Sequence, residues 1–187
     1  MAIVINGSGT VTGISVGGLP DGIVDDGTLA TDSVTAAKLE VSAITGADLP
    51  AGSVLQVVQG VTSTSVSTTS TSYVVTGLTA SITPSATSSK IMIFASCCVD
   101  NNVDGRQGFF GFFRDTTNLS GGASSVHGSL YANGARVLSN ISAQLVDSPS
   151  STSAIEYSWR MKCPDGGEVE FCTQGTEANM TLMEIAG

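Results

Sequence analysis

Hydrophobic and polar positions follow two different patterns along this chain, and the change falls near residue 52. From residue 53 onward the apolar residues come in short runs separated by Gly, Pro and Ser. Residues 54–58 are apolar apart from one Gln. Residues 73–76 form a strand that 78–82 continue, and a loop over 84–89 feeds the apolar run 90–95. Four Phe surround Gly111 in 108–113, and further strands are expected over 135–143, 154–163, 168–172 and 180–185. The alternation Glu168-Val169-Glu170-Phe171 places Val169 and Phe171 inward. Pro164-Asp165-Gly166-Gly167 supplies turn chemistry before it, Pro fixing φ and Gly tolerating positive φ. The Ser/Thr-rich stretch 61–72 is either an exposed strand or a connecting loop. Short strands between turn-rich loops predict a β-sandwich or jelly roll rather than an α/β fold.

The first 52 residues contain no Phe, Tyr, Trp, Arg or Cys, and Lys38 is their one basic side chain against Asp21, Asp25, Asp26, Asp32, Glu40 and Asp48. A segment so small and so poor in bulk cannot close a core alone. Its apolar residues are nevertheless regularly placed, among them Val11, Ile14, Leu19, Ile23, Leu29, Val34, Leu39, Ile44 and Leu49. Such a pattern predicts burial against other chains. Leu19-Pro20-Asp21-Gly22 recurs thirty residues later as Leu49-Pro50-Ala51-Gly52, two copies where a repeat architecture usually has three or more. Residues 32–40 read as a short helical turn capped by Asp32 or Ser33. The expected organisation is therefore 1–52 as an N-terminal attachment or shaft segment intertwined with partner chains, and 53–187 as a β head.

Composition and charge narrow the partners. Charged residues are only 12% of the chain and the net charge is −9, which argues against nucleic acid and anionic membrane, since both call for Lys/Arg surfaces. No apolar stretch approaches the ~20 residues of a membrane helix. The opening Met1-Ala2-Ile3-Val4-Ile5-Asn6 lacks the basic start of a signal peptide, so synthesis in a cytoplasm without export by a visible signal is expected. Cys97, Cys98, Cys163 and Cys172 form neither a CxxC pair nor a Cys/His metal spacing. They read as free thiols, with a disulfide from Cys97 or Cys98 to Cys163 or Cys172 as the alternative.

The N-terminal motif Thr28-Leu29-Ala30-Thr31-Asp32-Ser33-Val34-Thr35-Ala36-Ala37-Lys38-Leu39 resembles the shaft or attachment repeats of phage tail-fibre proteins, in which similar units thread three chains together. The remainder resembles a β domain of tail-fibre-like proteins from phages of cyanobacteria and other marine bacteria. Pro84 with Ser88-Ser89-Lys90-Ile91, Phe112-Phe113-Arg114-Asp115, Leu145-Val146-Asp147-Ser148-Pro149, Tyr157 and Thr181-Leu182-Met183-Glu184-Ile185 carry that likeness. The resemblance implies a mainly β, trimeric fibre component. Its antiparallel jelly-roll-like sandwich would be similar to tumour-necrosis-factor and C1q heads.

No catalytic centre is readable. Asp100-Asn101-Asn102-Val103-Asp104-Gly105 matches the opening of a calcium loop, with Asp100, Asn102 and Asp104 as ligands, but position twelve is Gly111 where a bidentate Glu is needed. An Asx-rich turn is the competing reading. His127, the one histidine, has Ser124 and Ser125 nearby without a nucleophile elbow. Asp147, Glu156, Glu168 and Glu170 could be drawn as paired carboxylates for glycoside cleavage, although Glu168 and Glu170 fall on the outward face of one strand. Gly7-Ser8-Gly9-Thr10 lacks the Lys of a phosphate loop. Of Phe109, Phe110, Phe112 and Phe113, one pair is expected in the core and the other at a trimer axis, with an exposed platform for sugar rings as the alternative. Some of Arg106, Arg114, Arg136 and Arg160 are expected to anchor inter-subunit carboxylates such as Asp115 or Asp147, with a rim or solvent position the equal alternative for any single one.

These features point to a structural virion protein with no enzymatic activity and no cofactor, a homotrimeric tail fibre or short tail appendage. It would be assembled in the host cytoplasm and docked to tail or baseplate proteins through residues 1–52. Host glycan contacts are expected on loops, at 100–106, 117–127 and 147–152, with Asn101, Asn102, Arg106, Asn118, His127 and Asp147 as candidate contacts. A capsid decoration or cement protein, and an extracellular glycan-degrading enzyme, are the alternative readings.

Overall fold

A computed structural model describes Val4–Ile5, Val11–Thr12, Leu29, Thr31, residues 33–35, Leu39, residues 45–121 and residues 126–187. The chain divides into a unit over Met1–Thr45 and a compact unit over Gly46–Gly187. In the first, β1 (Val4–Ile5) pairs antiparallel with β2 (Val11–Thr12). The expected helical turn at 32–40 lies largely outside the described residues.

The compact unit is built from two antiparallel sheets, and among the described residues it contains no α-helix. One sheet joins β3 (Val54–Thr62), β13 (Ala178–Ile185), β6 (Lys90–Asn101), β12 (Val169–Phe171) and β4 (Val66–Thr68) in that order, with β10 (Val137–Asp147) on the other side of β6. The second has the order β5 (Val74–Ile82), β11 (Ile155–Lys162), β7 (Gln107–Arg114) and β8 (Thr117–Asn118), with β9 (Gly128–Tyr131) also on β7. The fold is thus a sandwich whose inward positions alternate with outward ones on both sheets. Ile91, Ile93, Met180 and Leu182 of the first sheet share a core with Leu78, Phe110, Phe112, Tyr157, Trp159 and Met161 of the second. Trp159 lies 5.4 Å from Phe112 and 6.2 Å from Phe110, ring centre to ring centre.

One glycine fixes the join between the sheets, and a second shapes a bulge within one of them. A Cβ on Gly60 of β3 would stand 1.9 Å from the backbone oxygen of Thr79 on β5, so only Gly allows these two edges to approach. Gly77 has φ of +82°. It sits where the pairing of β5 with β11 shifts register, which lets the two runs read at 73–76 and 78–82 form one bulged strand. Similarly, β10 continues four residues past the expected end at 143, because the inward–outward alternation persists through Leu145 and Asp147.

The Phe cluster differs from the trimer-axis expectation. Phe110 and Phe112 fill the core, whereas Phe113 on the outward face is only 6% exposed. Its cover comes from the same chain: the Tyr73 ring stacks edge-on at 5.1 Å and the Arg160 guanidinium lies 4.4 Å above it. Gly111 leaves room for Tyr73, since a Cβ there would come within 3.2 Å of the Tyr73 oxygen. The buried Phe113 is therefore neither an axis residue nor part of an open sugar platform, while Phe109 is half-buried near the Lys162 ammonium.

Candidate functional site

Strand register separates the ends of the sandwich. Asn101 pairs with Val137 and Ile91 with Asp147, so the two ends of β10 stand roughly 30 Å apart. At the Asn101 end three turns converge. Asp104 accepts a hydrogen bond from the Gly134 amide, and the Gly105 amide donates to Ala132 O at 2.8 Å. Arg106 Nη1 donates to Asp165 O at 2.5 Å, and the Gln107 amide donates to the Asp165 carboxylate at 3.1 Å. Asn102 Nδ2 reaches Glu168 at 3.4 Å. The turns at 102–106, 132–136 and 164–168 are thereby held as one polar cluster, with Asn102, Asp104, Arg106 and Arg136 exposed.

The calcium-like string is dispersed within this cluster. Asp100 is the penultimate residue of β6 and is 2% exposed, and both Nε (2.6 Å) and Nη2 of Arg136 donate to its Oδ2. Asn101 is fully buried. Its Oδ1 accepts the Val103 amide at 3.2 Å and its Nδ2 donates to Arg106 O at 2.8 Å, an Asx turn that shapes the loop instead of meeting a ligand. Asp100, Asn102 and Asp104 therefore aim at three separate partners. Among the described residues no group of three or more His, Cys, Asp or Glu side chains is arranged to hold a metal ion.

Asn118 and Asp147 lie at the other end. Asp147 closes β10 instead of opening a loop, and its side chain is only 11% exposed. Arg114 Nη1 donates to both of its oxygens, at 2.9 and 3.1 Å, and Tyr157 Oη donates to Oδ2 at 2.7 Å. Asn118 Oδ1 accepts from the Ser120 amide at 2.9 Å and shapes its own turn. His127 sits on the flank, where Nδ1 accepts the Phe112 amide at 3.1 Å and the ring packs 4.9 Å from Phe112. Burial pushes the His127 pKa down, favouring the neutral ring.

Each arginine has an acceptor within the chain. Arg114 pairs with Asp147, Arg136 with Asp100, Arg160 Nη2 with Asp115 O at 2.6 Å, and Arg106 with Asp165 O, all within one chain. An acidic chain this poor in cations engages them internally, where each desolvated carboxylate or carbonyl needs a partner. All four cysteines are free. Burial pushes the Cys163 pKa up to about 11, and raises Cys97 and Cys172 as well.

Sequence reasoning passed over Glu184. It occupies an inward position of β13 in phase with Ala178, Met180 and Leu182, and is fully buried. Its carboxylate accepts from Ser85 N and Oγ (both 2.6 Å), Ser89 Oγ (2.7 Å) and Gln56 Nε2 (2.6 Å). Burial pushes its pKa up, but the bonds from Ser85, Gln56 and Ser89 outweigh burial and hold it below its ordinary value. The signal was an acid in the inward phase of an apolar strand, in a chain with a Ser-rich loop at 85–89.

Of the nominated attachment residues, Leu29, Val34, Leu39 and Leu49 are exposed. Ile14, Leu19, Ile23 and Ile44 lie outside the described residues, as does the side chain of Val11. No protein-family model matches the chain, and no curated protein matches it at a significant level of similarity.

Proposed function

We propose that the chain is a structural virion protein, the subunit of a homotrimeric bacteriophage tail fibre or short tail appendage that mediates host adhesion. Residues 1–52 form the attachment and shaft segment that meets tail or baseplate proteins. Residues 53–187 form a jelly-roll-like head, and the assembly has no catalytic step, cofactor, nucleic-acid partner or membrane insertion.

One observation carries the reading. The chain enters the sandwich at β3, whose Gln56 pairs with Glu184, which in turn pairs with Ile91. That is the Asp147 end, so the exposed polar cluster of Asn102, Asp104, Arg106 and Arg136 lies at the opposite end of the sandwich from the start of β3. Polar loops held by hydrogen bonds at the end opposite the first strand of the head are what an adhesive appendage needs. Side-chain amides, carboxylates and guanidinium groups there suit hydrogen bonding to a polyhydroxyl host glycan. The exposed Leu29, Val34, Leu39 and Leu49 supply the apolar surface that interchain packing would cover.

Separating particles into isolated tails and emptied heads and probing each for the protein tests this. It is expected with the tails. Its recovery with the heads would instead support a capsid decoration role, and release of sugar from host polysaccharide would contradict a purely adhesive function.

A further inference from the structure

The outward side chains of β10, β6, β13 and β3 form one surface by register. Val57, Met183, Met92 and Val146 make a row across all four strands, and Gln59, Thr181, Phe94 and Gln144 make the next. Val57 is 57% exposed, Val61 56% and Val146 51%, with Phe94 between them at 36%. An open hollow of about 390 Å³ lies beside Phe94.

Charge distinguishes this surface from the outward face of the other sheet. The chain has 16 acidic residues, yet the only ionisable Asp, Glu, Lys or Arg side chains these four strands present outward are Lys90 and Asp100, at opposite ends of β6. Asp100 is buried beneath Arg136. By contrast, β11 alone turns Glu156, Arg160 and Lys162 outward on the other sheet. Among the described residues β10 hydrogen-bonds only to β6, leaving an edge of 11 residues with one charge, Asp147, and no proline. Isolated edge strands are normally guarded by charge, proline or brevity.

We propose that this face of the sandwich is where a second copy of the chain docks. The inference rests on the homotrimer reading and assigns its contact surface, moving it away from the Phe cluster of β7. Self-association of a chain with net charge −9 works against like-charge repulsion, so copies must meet through a face free of exposed carboxylates. Among the faces of the two sheets, this one meets that requirement, and the sparsely charged β10 edge of the next copy supplies its complement, a head-to-tail contact that can close as a threefold ring. Charge depletion with Met and aromatic residues is the composition of an interface centre. Strand spacing and rise give the face a projected area of about 600 Å², close to the ~800 Å² per partner of a specific interface.

Native mass spectrometry of the full chain, wild type against Val57→Glu/Val146→Glu and against Val75→Glu, tests the assignment. Val75 is a control with 58% exposure on the other sheet. On dilution the double variant should dissociate at protein concentrations where Val75→Glu keeps the wild-type mass. A double variant that dissociates no more readily than wild type overturns the face and leaves the homotrimer standing. A wild-type dimer lost in the double variant upholds the face and overturns threefold assembly, and a wild-type monomer overturns both. If the double variant fails to fold, hydroxyl-radical footprinting of the wild type decides. Met92 and Met183 should be oxidised more slowly than exposed Tyr131 despite their more reactive sulfur, and faster oxidation overturns the proposal.

Discussion

Tyr157 donates its hydroxyl to Asp147 Oδ2 at 2.7 Å, tying an inner strand of one sheet to the last residue of the other sheet's edge strand. Arg114, cross-strand from Tyr157, grips the same carboxylate. Burial and the Asp147 hydrogen bond push the Tyr157 pKa far up, so the hydroxyl remains a donor at all physiological pH. Asp147→Ala leaves the buried Tyr157 hydroxyl and the half-buried Arg114 guanidinium without their acceptor and should cost about 3 kcal/mol. Tyr157→Phe removes one bond and should cost about 1 kcal/mol. Urea unfolding of the two variants checks the order.

Glu184 makes stability depend on acid. Its folded-state pKa lies below the ordinary 4.5, so the folded state binds fewer protons than the unfolded one in that range. The stabilisation is complete above the unfolded value and is lost as pH falls through the folded one. Glu184→Gln should cost about 2 kcal/mol at pH 7, because an amide cannot accept all four bonds. The gap between wild type and variant should narrow below pH 4.5, as unfolding curves at pH 7 and 3.5 would record.

Steric predictions follow from Gly60. A side chain there meets the Thr79 carbonyl, a backbone atom that cannot swing aside. Gly60→Val should cost more than 3 kcal/mol or prevent folding, whereas Gly52→Ala, with open space around it, should show only the smaller cost of its positive φ. Thermal melts of the two variants make the comparison.

Most strands were legible in the sequence because alternation and turn chemistry are local signals. The Phe110–Phe112 pair, Val169 and Phe171 all lie inward as their phase requires. What was not legible depends on register between distant strands. Asp147 looked like a loop residue beside Ser148-Pro149, yet its phase within β10 turns it toward Tyr157. Asp100 and Asn101 looked like an exposed ligand string, but they end a long strand and brace the turn beyond it. The cover of Phe113 could not be foreseen, because Tyr73 reaches it only through the crossing of residues 69–73, which pairing with Cys163 fixes.

Thiol counting tests the cysteine assignment. Four free thiols should titrate in denaturant without reductant. In the native protein at most one, half-exposed Cys98, should react, since Cys97, Cys163 and Cys172 are buried with raised pKa values.

We propose a chain that functions as one of three intertwined copies, and its mass in solution is the deciding measurement. Sedimentation equilibrium at micromolar concentration should give three times the 18.9 kDa of one chain. A single 18.9 kDa species under those conditions would contradict it.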